Sequence, residues 1–238
     1  MFHFLLTTTS TTLPNGQGSS SININLGNSL SKPSDSILVI ITLTLLALAP
    51  SLLILMTGFT RIIIVFSLLR QALGLTTIPP NQVLSGLALI LSLFIMSPTL
   101  TQVNKVAVQP YLHGKENATQ AYHAAEVPLK TWMLKQTGSQ ELALTTGVDG
   151  EHPAKAEDAS MAAIVPAFVL SQLKSGFLIG FIIFIPFLII DLVVASVLMS
   201  MGVVMLPPTL VSLPFKLLLF VMVNGWILIT HSLVVSFH

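Results

Sequence analysis

Asp191 stands alone as the one charge in the apolar run 175–206. A carboxylate at mid-membrane costs about 2.5–3.5 kcal/mol on insertion scales, so an acid in such a place has a job. Two are open: coupling to a proton or ion, or pairing at a protein interface. An aspartyl intramembrane protease needs two facing carboxylates, and no apolar segment holds a second acid. The six histidines (His3, His113, His123, His152, His231 and His238) include no pair at i, i+4 with a glutamate between, so no zinc-protease signature is present. The chain has no cysteine, which excludes disulfides, thiolate metal ligands and cysteine nucleophiles. No Gly-rich phosphate loop occurs. Asn117-Ala118-Thr119 matches a glycosylation acceptor, a three-residue pattern of little weight. These observations imply no catalytic centre, no metal and no cofactor: the expected protein is not an enzyme.

The elements that carry Asp191 are membrane elements. Of 238 residues, 53% are hydrophobic and only 8% charged, against about 25% charged in a soluble domain. The net charge of +1 leaves no basic footprint for nucleic acid. Residues 1–36 form a polar tail rich in Ser, Thr, Asn and Gly, whose first six residues are too short and lack the basic start of a secretory signal. The run 37–56 is long enough for a membrane helix, with Pro50 as a kink. Arg61 and Arg70 flank the apolar stretch 62–69, which ends at Gly74 and the Pro79-Pro80 pair. A further apolar helix, 83–96, is expected to stop at Pro98.

From about 99 to 160 charges return, and the chain reads as a soluble insertion. There Tyr122, Ala125, Leu129, Trp132 and Met133 recur at helical spacing before Gly138, and 147–158 reads as a loop. The run 175–206 predicts a span plus a re-entrant turn at Pro207-Pro208, and 217–237 a last apolar stretch. The fold class is therefore an all-α integral membrane protein. It has about four hydrophobic helical segments or hairpins and a soluble helical insertion. Lysine and arginine in short loops favour the cytoplasm. Arg61 and Arg70 then face the cytoplasm and the insertion is periplasmic.

Small residues recur at helix-packing spacing, Gly176 with Gly180 and Ser196 with Ser200. Such pairs let backbones approach, here read as support for oligomerisation. Met199, Met201 and Met205 cluster around Gly202. Methionine is unbranched and adaptable, so this segment is either ordinary membrane-helix content or a deformable seal around passing peptides.

Four stretches carry a family resemblance. The first runs from Thr57-Gly58-Phe59-Thr60-Arg61-Ile62 through Ser67-Leu68-Leu69-Arg70-Gln71-Ala72-Leu73-Gly74 to Pro79-Pro80-Asn81-Gln82-Val83-Leu84. The second is Phe181 to Val193, with Pro186 and Asp191. The third runs from Ala195-Ser196-Val197-Leu198-Met199 through Gly202 to Pro207-Pro208. The fourth is Leu213-Pro214-Phe215-Lys216-Leu217 with Gly225-Trp226. Over 37–238 the chain resembles the FliP family of flagellar export-gate proteins, related to injectisome subunits; Thr60-Arg61 is closer to the flagellar branch.

The resemblance implies a multi-pass subunit of a helical gate at the basal body in the bacterial inner membrane. It implies assembly with other copies of itself, with FliQ and FliR type subunits and with other flagellar export apparatus proteins. The cargo implied is unfolded flagellar export substrates. A gate or seal is implied at Met199, Met201, Gly202, Val203, Val204 and Met205, and assembly positions at Thr60, Arg61, Arg70, Pro79, Pro80, Asp191, Lys216 and Trp226. Lys174 or Lys216 is the expected partner of Asp191. Several residues depart from the family pattern. Val203 and Val204 stand where the family has methionine, Gln172 where it has glutamate, Asn224 where it has aspartate, and Gly58 where it has serine. The competing reading is a transporter or channel for ions or small molecules coupled through Asp191, although the two halves show none of the internal repeat typical of transporters.

Overall fold

The computed structural model describes residues 33–150, 153–203 and 205–237. Most of the polar tail, 1–32, and the seal position Val204 lie outside the described residues. The described chain contains the helices α1 (Pro33–Leu55), α2 (Phe59–Ala72), α3 (Asn81–Val103), α4 (Gln109–Leu112), α5 (Ala118–Lys135), α6 (Ser139–Asp149), α7 (Met161–Ser200), α8 (Pro208–Met222) and α9 (Gly225–Val235). It divides into two compact units, 1–47 and 48–238. The first is described only through the start of α1, where Ile37, Ile40, Ile41, Leu43 and Leu46 are exposed.

In the second unit α2 supplies the densest buried stripe. Ile62, Val65, Phe66, Leu69 and Ala72 are all at most 1% exposed, at the i, i+3, i+4, i+7 spacing of one helix face. They pack with Leu84, Ala88 and Ile95 of α3, Phe187 of α7, Phe220 of α8, and Ile229 and Leu233 of α9. Helix α7 approaches α2 closely because Gly176 and Gly180 lack side chains. A Cβ on Gly176 would lie 3.2 Å from Ile64 and 3.3 Å from the Arg61 carbonyl, and one on Gly180 would overlap Leu68. The Gly176/Gly180 pair expected to serve oligomerisation is thus consumed in packing within the chain.

Helix α7 is a single 40-residue rod, roughly 60 Å at 1.5 Å per residue and about twice the hydrocarbon thickness. Its first turns belong to the insertion: Ile164 and Phe168 form a second core with Met133 of α5 and Ala159. From Phe177 to Val197 its large side chains are mostly exposed and apolar. That exposed length is about 30 Å, the span of a bilayer core. Among the described residues two helical runs, 81–112 and 161–200, are long and apolar enough to cross a membrane, or three if the bent α8–α9 pair is one span. With α1 these make four apolar segments, as the sequence implies.

Three expected boundaries differ. The expected stop at Pro98 is absent: α3 runs through it and continues by a π-helical turn, Asn104–Val108, into α4. A proline removes one donor from the ladder, and the helix continues on its remaining bonds. The stretch 147–158 begins inside α6 and contains a 3-10 turn at Ala156–Asp158. The last apolar stretch is broken, α8 meeting α9 at 64°. There Asn224 adopts left-handed backbone (φ 52), which asparagine tolerates better than most residues. A side chain on Gly225 would overlap the Phe220 ring. Together they turn the chain where composition alone shows only apolar residues.

Candidate functional site

Helix α8 presents Ser212 and Lys216 one turn apart on one face, toward Asp191 of α7. Lys216 Nζ lies 2.6 Å from Asp191 Oδ2, and the Ser212 hydroxyl donates to Asp191 Oδ1. Lys216 also donates to the Ala72 carbonyl at 3.0 Å, one of the orphan carbonyls at the end of α2. A cation suits a helix C-terminus for electrostatic reasons as well. The end of α2 is otherwise closed by Gly74 (φ 77), with Leu75 N–H reaching the Arg70 carbonyl at 3.1 Å and Gly74 N–H the Gln71 carbonyl at 2.9 Å. One lysine thus ties three helices together at one carboxylate. Its side chain is 3% exposed, and that of Asp191 is 23% exposed.

Of the two expected lysine partners the geometry selects Lys216. Lys174 instead pairs with Glu141 of α6 at 2.8 Å. That hydrogen bond from Lys174, reinforced by one from the Glu141 backbone, holds the Glu141 carboxyl below its ordinary value of 4.5. Both carboxylate oxygens of Asp191 are engaged inside the chain. The arrangement is suited to fastening helices rather than to passing protons.

Arg61 occupies a second polar site at the insertion end of α2. It is 3% exposed. One terminal nitrogen donates to the Ser236 carbonyl (2.8 Å) and hydroxyl (3.1 Å), the other to Gln136 Oε1 (3.1 Å). The guanidinium carbon lies 4.0 Å from the centre of the Phe237 ring. Burial lowers its pKa from 12.5 to about 10, so it remains charged at neutral pH. Arg70, nine residues on and about 13 Å further along α2, bonds to the Pro79 carbonyl (3.2 Å) and Asn81 Oδ1 (2.6 Å). It fixes the turn through Pro79-Pro80 into α3. The expectation that Arg61 and Arg70 face one side, opposite the insertion, is therefore corrected for Arg61. Its partner Gln136 is itself part of the insertion, because burial at a helix junction decided its position.

The proposed seal segment closes α7. Gly202 is left-handed (φ 72); its N–H bonds the Met199 carbonyl at 3.1 Å, and Val203 N–H bonds the Leu198 carbonyl at 3.0 Å. Met201, in this cap, is 70% exposed, and Met205, beyond it, 96%. Met199 is exposed too, while Val203 is half-buried. Trp226 packs edge-on against Phe66 (6.2 Å) and Phe220 (5.5 Å), joining α9 to α2 and α8. Thr60 is half-buried beside Arg61. Three groups of site residues thus emerge, around Asp191, around Arg61 and beyond Gly202.

Ser212, Gln136, Ser236 and Phe237 were not among the residues expected at these sites. Only the four-residue spacing of Ser212 and Lys216 offered a local signal. Gln136 and Ser236 come to Arg61 from 75 and 175 positions away, beyond the reach of any pattern in one sequence.

The model of the FliP family matches residues 42–233. The chain belongs to the FliP family. It is 54% identical over 190 residues to the flagellar biosynthetic protein FliP of Bacillus subtilis, covering 79% of this chain and 86% of that one. The proteins of the same name from Pectobacterium carotovorum and Aquifex aeolicus are 51% and 45% identical, covering 79% and 80% of this chain and 74% and 81% of theirs. As a FliP-family protein the chain serves flagellar biosynthesis and export. It does so as a membrane-associated component working with other flagellar proteins, in a family of structural transport components. Asp191 and Lys216, the ion pair, both lie within the matched range.

Proposed function

We propose that this chain is a subunit of the flagellar type III export gate, contributing to the channel that passes unfolded flagellar subunits across the bacterial inner membrane. The observation that carries the reading is the family match over 42–233. The engagement of Asp191 within the chain supports it, because the transporter reading depended on a free coupling carboxylate. The partners are further copies of this chain and FliQ and FliR type subunits, with the insertion on the periplasmic side. Extraction in mild detergent tests this. The chain is expected to purify in a large complex with two other small membrane proteins; purification alone or as a small homo-oligomer overturns the reading.

Within that channel we assign the seal to 199–205. Backbone unwound at membrane depth is tolerated only inside protein or along a cavity, and helix α7 ends at Ser200, just before Gly202, among exposed apolar side chains. A ring of such side chains blocks ions by dewetting yet yields to a peptide. Valine is stiff at its first torsion, so Val203 and Val204 make the ring less compliant than methionine. Met205→Ser is expected to make resting cells leaky to small dyes, while methionine at positions 203 and 204 keeps the barrier intact. A Met205→Ser strain that assembles normally and stays as tight as its parent removes this segment from the seal.

A further inference from the structure

The most heavily built polar site outside the ion pair is the one around Arg61, and its members come from four parts of the chain. Phe237 is gripped on several sides. The Arg61 guanidinium lies over its ring at 4.0 Å, and Trp132 of α5 stacks on it at 6.5 Å with an interplanar angle of 12°. A Cβ on Gly58 would come within 2.8 Å of its ring atoms. Glycine at 58 is therefore what admits the ring. The Phe237 carbonyl accepts from Gln136 Nε2 at 2.8 Å, while Gln136 Oε1 accepts from Arg61. Helix α5 and the C-terminal turn are thus fastened to each other and to α2 through one glutamine and one arginine.

Among the described residues the charge of that arginine is answered by neutral groups: two oxygens of Ser236, one of Gln136 and the face of Phe237. Among the described residues no carboxylate reaches it, and Arg61 Nε is buried with no partner. Gln172 of α7 is 0% exposed, and neither its amide nitrogen nor its oxygen has a partner. It lies on α7 between two residues, Ser171 and Gly176, that touch this region. Its neighbour Ser171 accepts from Gly138 N–H at 2.9 Å, two residues from Gln136. One turn further along α7, Gly176 packs against the backbone of Arg61. A buried charge without a counter-ion is costly, and aromatic faces answer a guanidinium only in part.

We propose that the C-terminal turn Ser236–Phe237 is a latch in which the Phe237 ring, admitted by Gly58, stands in for a counter-ion to Arg61. The charge at position 172 then sets how strongly the latch is needed. With glutamine at 172 the latch holds by an aromatic face and neutral acceptors, and so can be released. A carboxylate at 172 neutralises Arg61 directly and makes the ring dispensable. The latch fastens the end of α5 to the α2–α7 pair, so its release frees one end of the insertion from the rest of the chain.

The test is hydrogen exchange, read by mass spectrometry on the detergent-solubilised full chain, in peptides covering 118–137 and 225–237. Phe237→Leu is expected to speed exchange in both regions about tenfold. In a Gln172→Glu background the same substitution is expected to speed it less than threefold, and Gln172→Glu alone to slow it. Gly58→Ala, which displaces the ring and leaves Arg61 and Phe237 in place, is expected to mimic Phe237→Leu. An equal effect of Phe237→Leu in both backgrounds overturns the proposal, as does its having no effect. If Phe237→Leu does not fold, Gly58→Ala takes its place in the same two-background comparison. Failure of Gln172→Glu to fold while Gln172→Leu folds normally also overturns it, since the carboxylate then finds no cation.

Discussion

At the residue scale the chain spends its few buried charges on joints. Asp191 and Lys216 illustrate the cost of breaking one. Removing a single partner of a buried pair leaves the other charge unsatisfied, about 3–5 kcal/mol in comparable sites, whereas apolar replacement of both is often neutral. Asp191→Ala is expected to reduce the yield and thermal midpoint of the extracted protein sharply. The double variant Asp191→Leu with Lys216→Met is expected to recover most of that loss, short of the bond from Lys216 to the Ala72 carbonyl. An Asp191→Ala protein that assembles fully and is dead only in transport points instead to proton or substrate coupling. Sequence reasoning found Asp191 and Lys216 because charges in apolar runs are conspicuous. It placed Arg61 on the wrong side of the insertion, because its burial depends on Gln136 and Ser236, which look like ordinary polar residues.

At the scale of elements, the chain's punctuation was legible where glycine or proline pairs end a helix. Helix α2 ends just before Gly74 and helix α7 just before Gly202, both in left-handed caps. A single proline misled: Pro98 lies inside a helix, as do Pro128, Pro166 and Pro186. The break at Asn224 was hidden, because asparagine carries no apolarity signal that distinguishes a turn from a polar interruption. The insertion is clamped to α7 by Glu141 and Lys174. The folded-state pKa of Glu141 is depressed, so its contribution is present above the ordinary value of 4.5 and lost as pH falls through the lower folded value. Acidification below about pH 4.5 is accordingly expected to increase hydrogen exchange in 139–149, and Glu141→Gln to remove that pH dependence. Exchange in 139–149 that stays flat in the parent over this range contradicts the clamp.

At the scale of the whole molecule, two observations meet. The match to the FliP family covers 42–233. The helices leave large apolar faces uncovered, from Phe177 to Val197 on α7 and along α8 and α9 at Leu210, Phe215, Leu218, Met222 and Ile227. Such surface on a single copy is what lipid or neighbouring subunits cover. The most direct test of an export-gate subunit is to delete the chain and measure hook and filament subunits in the culture medium, with and without the gene restored. Secretion and swimming are both expected to be lost, with the inner membrane still tight to ions, and both to return on restoration. Normal secretion of those subunits from the deletion strain contradicts an export-gate role.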